Sequence, residues 1–399
     1  MDHPATASTP LSDTHSLHRG PTPLLTSVLP FDVVDLIVDE CLSSLGKYDS
    51  DRRECAQALS LTCRGLRERA QRALWEDVEL GGGWGWKSGR LRAIYSTPRI
   101  ADMVTNVRWR ECAWDSWAPD LSRVEELFLA CRNISHVHLS GDAVVYFHDV
   151  LSALWASESR STLNKLDVIG FTGYRPRESE SELTEADLQL FLLSFPSLTS
   201  FSINFITYPP TLASSSELLN LRTCQLEVPY PFSPVDEPNK PYQSLLDSIN
   251  LHTLKVFTTT ALSYLDWLCR PDFSLNTISL HGKAFNCAPP LLLPQLTRLL
   301  PFHPNLHRLD VRPLREPYTP CEDSADLAAL CQILSILPPA LRELRLPFAI
   351  DPKRIPIQQL ISDTPGKRLV LLDCWDSTTN KPFWLERDDE TADWRVGEE

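Results

Sequence analysis

The loop Gly81–Ser88 is the part of the sequence that comes closest to a chemical motif. It lies between a predicted strand and a predicted helix, and a glycine-rich loop in that place can hold nucleotide phosphates with its backbone N–H groups. That pattern needs a glycine before the lysine, but Trp86 precedes Lys87. We therefore predict a hinge, with Trp84 and Trp86 as anchors or partner contacts. A nucleotide-dependent enzyme is kept as an alternative, which ATP or GTP binding lost in Lys87→Ala would support.

Two pairs of histidines have spacings that metal ligands use. His303 and His307 are four residues apart, as on a helix, but Pro304 lies between them and no zinc-spaced cysteine or carboxylate cluster is near. His136 and His138 alternate on a strand face, where a solvent-facing or hydrogen-bonded histidine is commoner than a ligand. No nucleophile elbow and no local Cys/His signature is present. The sequence therefore predicts no metal, no cofactor and no catalytic activity of its own.

Composition and charge argue against several classes of function. The 399 residues include 38 Lys+Arg and 52 Asp+Glu, a net charge of −14, which argues against general binding to nucleic acid or an anionic membrane. The 11 cysteines contain no CxxC pair, so we expect reduced thiols. The first twenty residues do not have the pattern of a secretory signal, and no apolar run approaches the length of a membrane span. We expect a cytoplasmic or nuclear protein.

A repeated apolar triplet, L-x-x-L-x-L, is the main structural signal from about residue 100 onwards. Its first residues are on average about 29 apart, near the top of the leucine-rich-repeat range of about 20 to 29 residues. Helical patterns lie between the copies, so the sequence predicts an α/β solenoid in which stacked strands bury one continuous core. In the sixth copy the three residues are assigned as Leu251, Leu254 and Val256. The ten copies begin at Val104, Ile134, Leu163, Leu198, Leu221, Leu251, Leu275, Leu306, Leu341 and Leu369.

The chain is predicted to have five parts. Residues 1–27 are rich in Thr, Ser, Pro and His and are expected to be a disordered tail. A small helical domain over 28–80 and a hinge with a helix over 81–99 come next. The repeats occupy 100–385, and an acidic solvated tail occupies 386–399.

Three segments of the helical domain follow one another within 47 residues, namely Leu29–Ile37, Ala58–Arg64 and Ala73–Trp75. Together with the repeats behind them, they resemble the fungal F-box-like proteins with leucine-rich repeats, in which the same pieces occur in this order. Two positions differ from the family pattern: Asp32 stands where glutamate is commoner, and Leu66 stands where tryptophan is usual. The expected fold class is thus α/β, a leucine-rich-repeat-like solenoid preceded by a small three-helix F-box-like domain.

The resemblance implies that the helical domain docks on a Skp-type adaptor of a cullin-RING ubiquitin ligase while the repeats hold a protein client. The first helix is apolar on more than one face, which would leave one face for a partner. The alternative is that this unit only packs against the first repeat, in a repeat scaffold without a ubiquitin link. The residues that the family pattern assigns to adaptor binding are Leu29, Pro30, Val33, Ile37, Leu59 and Cys63.

The client surface is predicted from the polar residue between the second and third positions of each triplet. These residues should form one row on the exposed face of the sheet, and their mixed charges suit a specific protein partner. Alternatively, these residues are only solvated and bind no partner. The predicted client-binding residues are Arg108, His138, Asp167, Lys255, Asp310 and Arg345, and the same row includes Ser202, Gln225, Ser279 and Asp373.

Overall fold

The structure is a computed structural model whose chain divides into two units, Met1–Leu74 and Trp75–Glu399. The residues that it describes are 36–38, 40, 50–62, 64–81, 89–111, 121–141, 143, 146–170, 192–203, 218–226, 243–260, 264–271, 273–282, 285, 287–312, 319–321, 324–350, 371–376, 381–386 and 395–398.

The first unit is helical in its described part. Residues 36–38 and 40 are helical, and they are followed by α1 (Ser50–Thr62) and α2 (Arg64–Trp75). Val38 and Ala56 form the buried centre of this unit. The apolar side chains packed against that centre are Cys55, Leu59, Leu66, Ala73 and Leu74.

A single sheet organises the second unit. Fourteen strands of the described chain belong to it. In chain order they are β1 (Asp77–Gly81), β2 (Asn106–Glu111), β3 (His136–Gly141), β4 (Lys165–Ile169), β5 (Ser200–Ile203), β6 (Thr223–Leu226), β7 (Val256–Thr259), β8 (Thr277–His281), β9 (Arg308–Arg312), β10 (Thr319–Pro320), β11 (Glu343–Ile350), β12 (Leu371–Asp376), β13 (Lys381–Glu386) and β14 (Arg395–Glu398).

Neighbouring strands in space are successive in sequence. From β1 to β12 the pairing is parallel throughout, with β10 beside β11 and off the main path. Parallel strands need a crossover segment between them, and several of those segments are helical. This arrangement confirms the predicted fold class, an α/β solenoid of the leucine-rich-repeat type after N-terminal helices. The described helices of this unit are α3 (Gly89–Ser96), α4 (Pro98–Ala101), α5 (Leu121–Ala130), α6 (Phe147–Ala156), α7 (Gln243–Asp247), α8 (Leu265–Leu268), α9 (Pro289–Leu299) and α10 (Ser324–Ile336).

A ladder of backbone hydrogen bonds holds the repeats in register. The residue shortly before each strand donates its N–H to the carbonyl of the equivalent residue one repeat earlier. Ser135 donates to Thr105 at 2.8 Å and Asn164 donates to Ser135 at 2.8 Å, for example. We call this the backbone ladder. Its members are Glu76, Thr105, Ser135, Asn164, Thr199, Arg222, Lys255, Asn276, His307 and Arg342.

The apolar triplets form the core, as predicted. In the third copy Leu163, Leu166 and Val168 are each fully buried. The bulkiest buried side chain, Trp109, stacks on Tyr146 with 5.1 Å between the ring centres. Because every strand presents the same positions inward, the buried residues form one continuous cluster along the sheet.

The repeat unit begins earlier than the predicted residue 100. Strand β1 pairs in parallel with β2, so that Val78 lies opposite Val107 and Leu80 lies opposite Trp109. Trp75, Val78 and Leu80 are thus a further copy of the triplet, and Val78 and Leu80 are buried. Helix α3, which the sequence assigns to the hinge, contributes buried Leu91 and Ile94 to the same core. Residues 82–88 of the glycine-rich loop lie outside the described residues.

The sixth triplet lies three residues later than the sequence predicts. Lys255 belongs to the backbone ladder, since its N–H donates to Arg222 at 2.9 Å and its carbonyl accepts from Asn276 at 2.9 Å. The strand therefore begins at Val256, and Leu254 is the fully buried first residue. Lys255 is exposed and is not in the polar row, where its predicted place is taken by Thr258.

The C-terminal segment 386–399 is not wholly a solvated tail. Strand β13 pairs antiparallel with β12, and β14 pairs antiparallel with β13. The acidic composition of this segment indicated solvation, but Arg395–Glu398 is a strand of the sheet. Of the described helices, none has the length and apolar character to cross a membrane.

One buried histidine belongs to the core. His303 is fully buried, its Nδ1 accepts the Leu275 N–H at 3.2 Å, and its ring lies edge-on to Phe273 at 5.5 Å. Burial lowers the pKa of His303 to about 4, although a hydrogen bond with the Leu268 backbone acts in the opposite direction. This residue is held as a neutral imidazole, whereas His307 is exposed.

The corrected register can be tested by two leucine truncations. Leu254→Ala should lower the free energy of unfolding by about 2 to 5 kcal/mol, because it leaves a cavity in the core. Leu251→Ala should cost clearly less, because Leu251 is only half-buried at the edge of that core. Urea unfolding of both variants measures the difference. A larger loss for Leu251→Ala would restore the register predicted from the sequence.

The buried histidine predicts a pH dependence of stability. An unfolded histidine takes up its proton near pH 6.5, but folded His303 does so only near pH 4, so stability falls as the pH falls between these values. The shift corresponds to roughly 3 kcal/mol. His303→Asn keeps an acceptor for the Leu275 N–H and cannot take up a proton. Urea unfolding at several pH values should show a shallower fall for His303→Asn, and identical pH profiles would contradict this account.

Candidate functional site

The strand register brings the polar residues of successive repeats into one row. Each lies between two inward-facing positions of its strand and pairs with the equivalent residue of the next strand. We call these residues the central row. In order along the sheet they are Glu79, Arg108, His138, Asp167, Ser202, Gln225, Thr258, Ser279, Asp310, Arg345 and Asp373.

Five of the six predicted client-binding residues lie in this row. Arg108, His138 and Arg345 are half-buried, while Asp167 and Asp310 are buried. Lys255 is the exception, for the reason given above. Their placement in register is a property of the fold, and their contact with a client is taken up below as a proposal.

The carboxylate of Asp167 is surrounded by a lysine from its own strand and two histidines from the preceding strand. The distance to its Oδ2 is 2.9 Å from His136 Nε2, 3.0 Å from Lys165 Nζ and 3.7 Å from His138 Nδ1. Its side chain is only 11% exposed, whereas that of Lys165 is 43% exposed. Burial alone would raise the pKa of Asp167, but hydrogen bonds from the two histidines and Lys165, together with the charge of Lys165, lower it well below its usual range. Asp167 is therefore a carboxylate at every physiological pH.

Asp310 is surrounded in a different way, by arginines. Arg312 makes a two-pronged contact with it, Nε to Oδ1 at 2.7 Å and Nη2 to Oδ2 at 3.0 Å. Arg308 Nη2 lies 3.5 Å from Oδ2, and Arg308 also contacts Glu343 at 3.3 Å. His281 Nε2 is 4.0 Å from Oδ2. The buried carboxylate thus fixes two arginines whose outer parts stay accessible, a set of charges that can meet a partner's acidic groups.

A second candidate surface is apolar and belongs to the first unit. Of the predicted adaptor-binding residues, Leu29, Pro30, Val33 and Cys63 lie outside the described residues. Ile37 is 46% exposed. Leu59 is half-buried and packs against the small core of the unit.

Two further leucines of this unit were not predicted. Leu36 is 68% exposed and Leu61 is 75% exposed, unusual values for large apolar side chains. Together with Ile37 they form what we call the exposed apolar set. Leu36 and Leu61 are within the segments that carried the family resemblance. The motif therefore contained these leucines, but it did not indicate which of its residues are exposed.

Sequence reasoning placed His136 on the strand face of His138 but did not assign it, or Lys165, Arg308 and Arg312, to the surface of the row. His136, Lys165, Arg308 and Arg312 lie two residues from a row position, on the same face of their strand. Period-two alternation would have found them on that face. Lys165, Arg308 and Arg312 contact the carboxylate of their own strand, whereas the contact of His136 with Asp167 depends on the cross-strand register, which the sequence did not supply.

The described cysteines give no indication of thiol chemistry. Burial raises the pKa of Cys131 to about 12, with a smaller contribution from the charge of Asp102, and burial alone raises that of Cys224 to about 12. A thiol with so high a pKa is protonated and is a poor nucleophile. All seven cysteines that the structure describes are free thiols.

Comparison with known proteins adds no argument to what the strands and helices of this chain show. No family model and no curated protein matches the sequence. One similar solved structure is a chain from the crystal structure of the Rad7 and Elc1 complex in yeast, with 14% sequence identity. The match covers 79% of this chain and 88% of that chain, with a TM-score of 0.36. A likeness of this degree carries no functional argument, so the proposals below rest on this chain's own residues.

The arginine contacts of Asp310 predict a stability effect. Asp310→Asn should lower the free energy of unfolding by about 1.5 to 3 kcal/mol, since it removes charge-assisted hydrogen bonds at a buried position. Glu343→Gln is the matched control, because this carboxylate is 38% exposed and its single pair should be worth less than about 1 kcal/mol. Thermal and urea unfolding measure both variants. Equal losses would show that burial of Asp310 is not what gives its contacts their strength.

Proposed function

We propose that this protein is the substrate-recognition subunit of an SCF-type cullin-RING ubiquitin ligase. In this proposal the first unit binds a Skp-type adaptor, and the central row binds a protein client. Other subunits carry out ubiquitin transfer, and this chain contributes by holding the client near them. The exposed apolar set, on a unit whose sequence resembles an F-box, is the observation that carries the proposal.

The exposed apolar set supports adaptor binding on energetic grounds. Burying a leucine or isoleucine side chain completely is worth roughly 1.5 to 3 kcal/mol, so three such side chains can anchor an interface. Leaving them in water has no benefit for the isolated unit. The alternative, a repeat scaffold without a ubiquitin link, is favoured if the first helix is fully buried against the repeats. The adaptor-binding measurement below separates it from this proposal.

The central row supports client binding through its mixed chemistry. The buried carboxylate of Asp310 holds Arg308 and Arg312 in place, and each arginine keeps more than a third of its side chain exposed. Lys165 pairs with the buried Asp167 and adds a third, exposed cation to the same face of the sheet. Positively charged groups held in place lose little entropy when they bind an acidic segment. Arg108, His138 and Arg345 extend the same face towards both ends of the sheet.

Adaptor binding is tested with purified components. The full chain should bind a Skp-type adaptor, and the double variant Ile37→Asp/Leu61→Asp should bind at least about 100-fold more weakly, because two buried apolar contacts are lost and two charges are desolvated. Calorimetry or surface-based binding gives the dissociation constants. Leu291→Asp is the matched control, since Leu291 is 64% exposed and lies on α9 of the repeat unit.

Three outcomes would contradict the proposal. A well-folded parent that binds no adaptor would remove the ubiquitin link and favour the scaffold. Equal weakening by Leu291→Asp would place the adaptor elsewhere. Elc1, which forms the yeast complex with Rad7, serves as a second bait, and binding of Elc1 without binding of a Skp-type adaptor would contradict the Skp assignment. Circular dichroism confirms that each variant is folded.

A further inference from the structure

Three side chains on neighbouring strands bring potential metal-ligating atoms together. His136 and His138 come from β3 and Asp167 comes from β4, with His138 and Asp167 directly in register. One ligand atom of each lies within 4.8 Å of the others. The strand pairing sets these positions, so the cluster is a built feature of the sheet.

The spacing of these atoms is close to what a small metal ion needs. Tetrahedral zinc with bonds of about 2.0 to 2.1 Å places its ligand atoms roughly 3.3 Å apart. Asp167 Oδ2 is 2.9 Å from His136 Nε2 and 3.7 Å from His138 Nδ1. All three ligand atoms lie within 4.8 Å of one another, and rotation of the histidine side chains would bring their separations towards the spacing that tetrahedral zinc needs. The side chains are 11% to 21% exposed, which is enough for an ion to enter from solvent.

The donor set selects the class of metal. Two imidazole nitrogens and one carboxylate suit Zn²⁺ and similar first-row transition ions, whereas Mg²⁺ and Ca²⁺ prefer oxygen donors alone. Three protein ligands leave a coordination position for water or for a donor atom of a bound protein.

Lys165 would compete with a metal ion for the carboxylate of Asp167. Its ammonium lies 3.0 Å from the same Oδ2 that a metal would use. The lysine side chain is 43% exposed and flexible, so it can swing into solvent when a divalent ion binds. The Asp310 cluster differs here, because two arginines contact its carboxylate and, among the described residues, a single histidine lies near it.

We propose that His136, His138 and Asp167 form a binding site for a divalent transition-metal ion of the Zn²⁺ type, on the client-facing side of the sheet. Metal binding at this site requires neither the adaptor nor the ligase. A negative result for the metal site therefore leaves the proposed function unaffected, and the reverse also holds.

The test measures Zn²⁺ binding to the full chain after removal of metals with a chelator. Calorimetry with zinc chloride should show one site that His138→Gln weakens by at least about tenfold, a loss already typical for residues that only support a ligand. Lys165→Gln should strengthen binding, because the competing ammonium is gone. His252→Gln is the matched control, since His252 is exposed and lies outside the cluster.

The visible absorption of bound Co²⁺ gives a second readout that depends on coordination geometry rather than on stability. An absorption band typical of four-coordinate Co²⁺, lost in His138→Gln, is the expected result. Absence of zinc binding would overturn the proposal, as would binding that His138→Gln leaves unchanged, because the ion would then be held elsewhere. Weaker zinc binding by Lys165→Gln would also overturn it, because Lys165 would then support the site instead of competing for it.

Discussion

The backbone ladder is the interaction on which the rest of this structure depends. Each link joins the residue before a strand to its counterpart one repeat earlier, and the link fixes the register of the two strands that follow. In a strand a slip of one residue would exchange the inward and outward faces. The continuous core and the central row are therefore two results of one repeated hydrogen bond.

The close strand pairing that the ladder fixes also buries charged side chains, and neighbouring side chains compensate for this burial. Close parallel strands crowd the middle of the central row so that Asp167 and Asp310 become buried, and a buried carboxylate needs partners. Asp167 is satisfied by two imidazoles and a lysine, and Asp310 by arginines. The difference has consequences for function, because a planar guanidinium bound in two places stays fixed whereas a lysine can leave. Separate parts of one sheet thus present different groups, two fixed arginines at Asp310 and two imidazoles with a lysine at Asp167.

The sequence predicted the solenoid well because its signal is repeated. A single chance triplet has little weight among the other copies. The strand positions of Leu166, Leu309 and Leu344 follow directly from the repeated pattern. The sixth copy was misplaced because its third position is Thr259, a fully buried polar residue that a search for apolar triplets passes over. A strand was predicted before the glycine-rich loop, but its place in the repeat array was missed because Trp75 also fits the end of the helical motif. The contacts of His136 with Asp167 and of His281 with Asp310 join different strands, and only the register brings these residues together.

The central claim is that the two surfaces have separate tasks, with the adaptor on the helices of the first unit and the client on the sheet. Hydrogen exchange of the full chain with and without a Skp-type adaptor tests this division most directly. The account predicts slower exchange upon adaptor binding in residues 36–62, with exchange in the strands of the central row unchanged. Protection that appears in those strands instead, or no protection in residues 36–62, would contradict it.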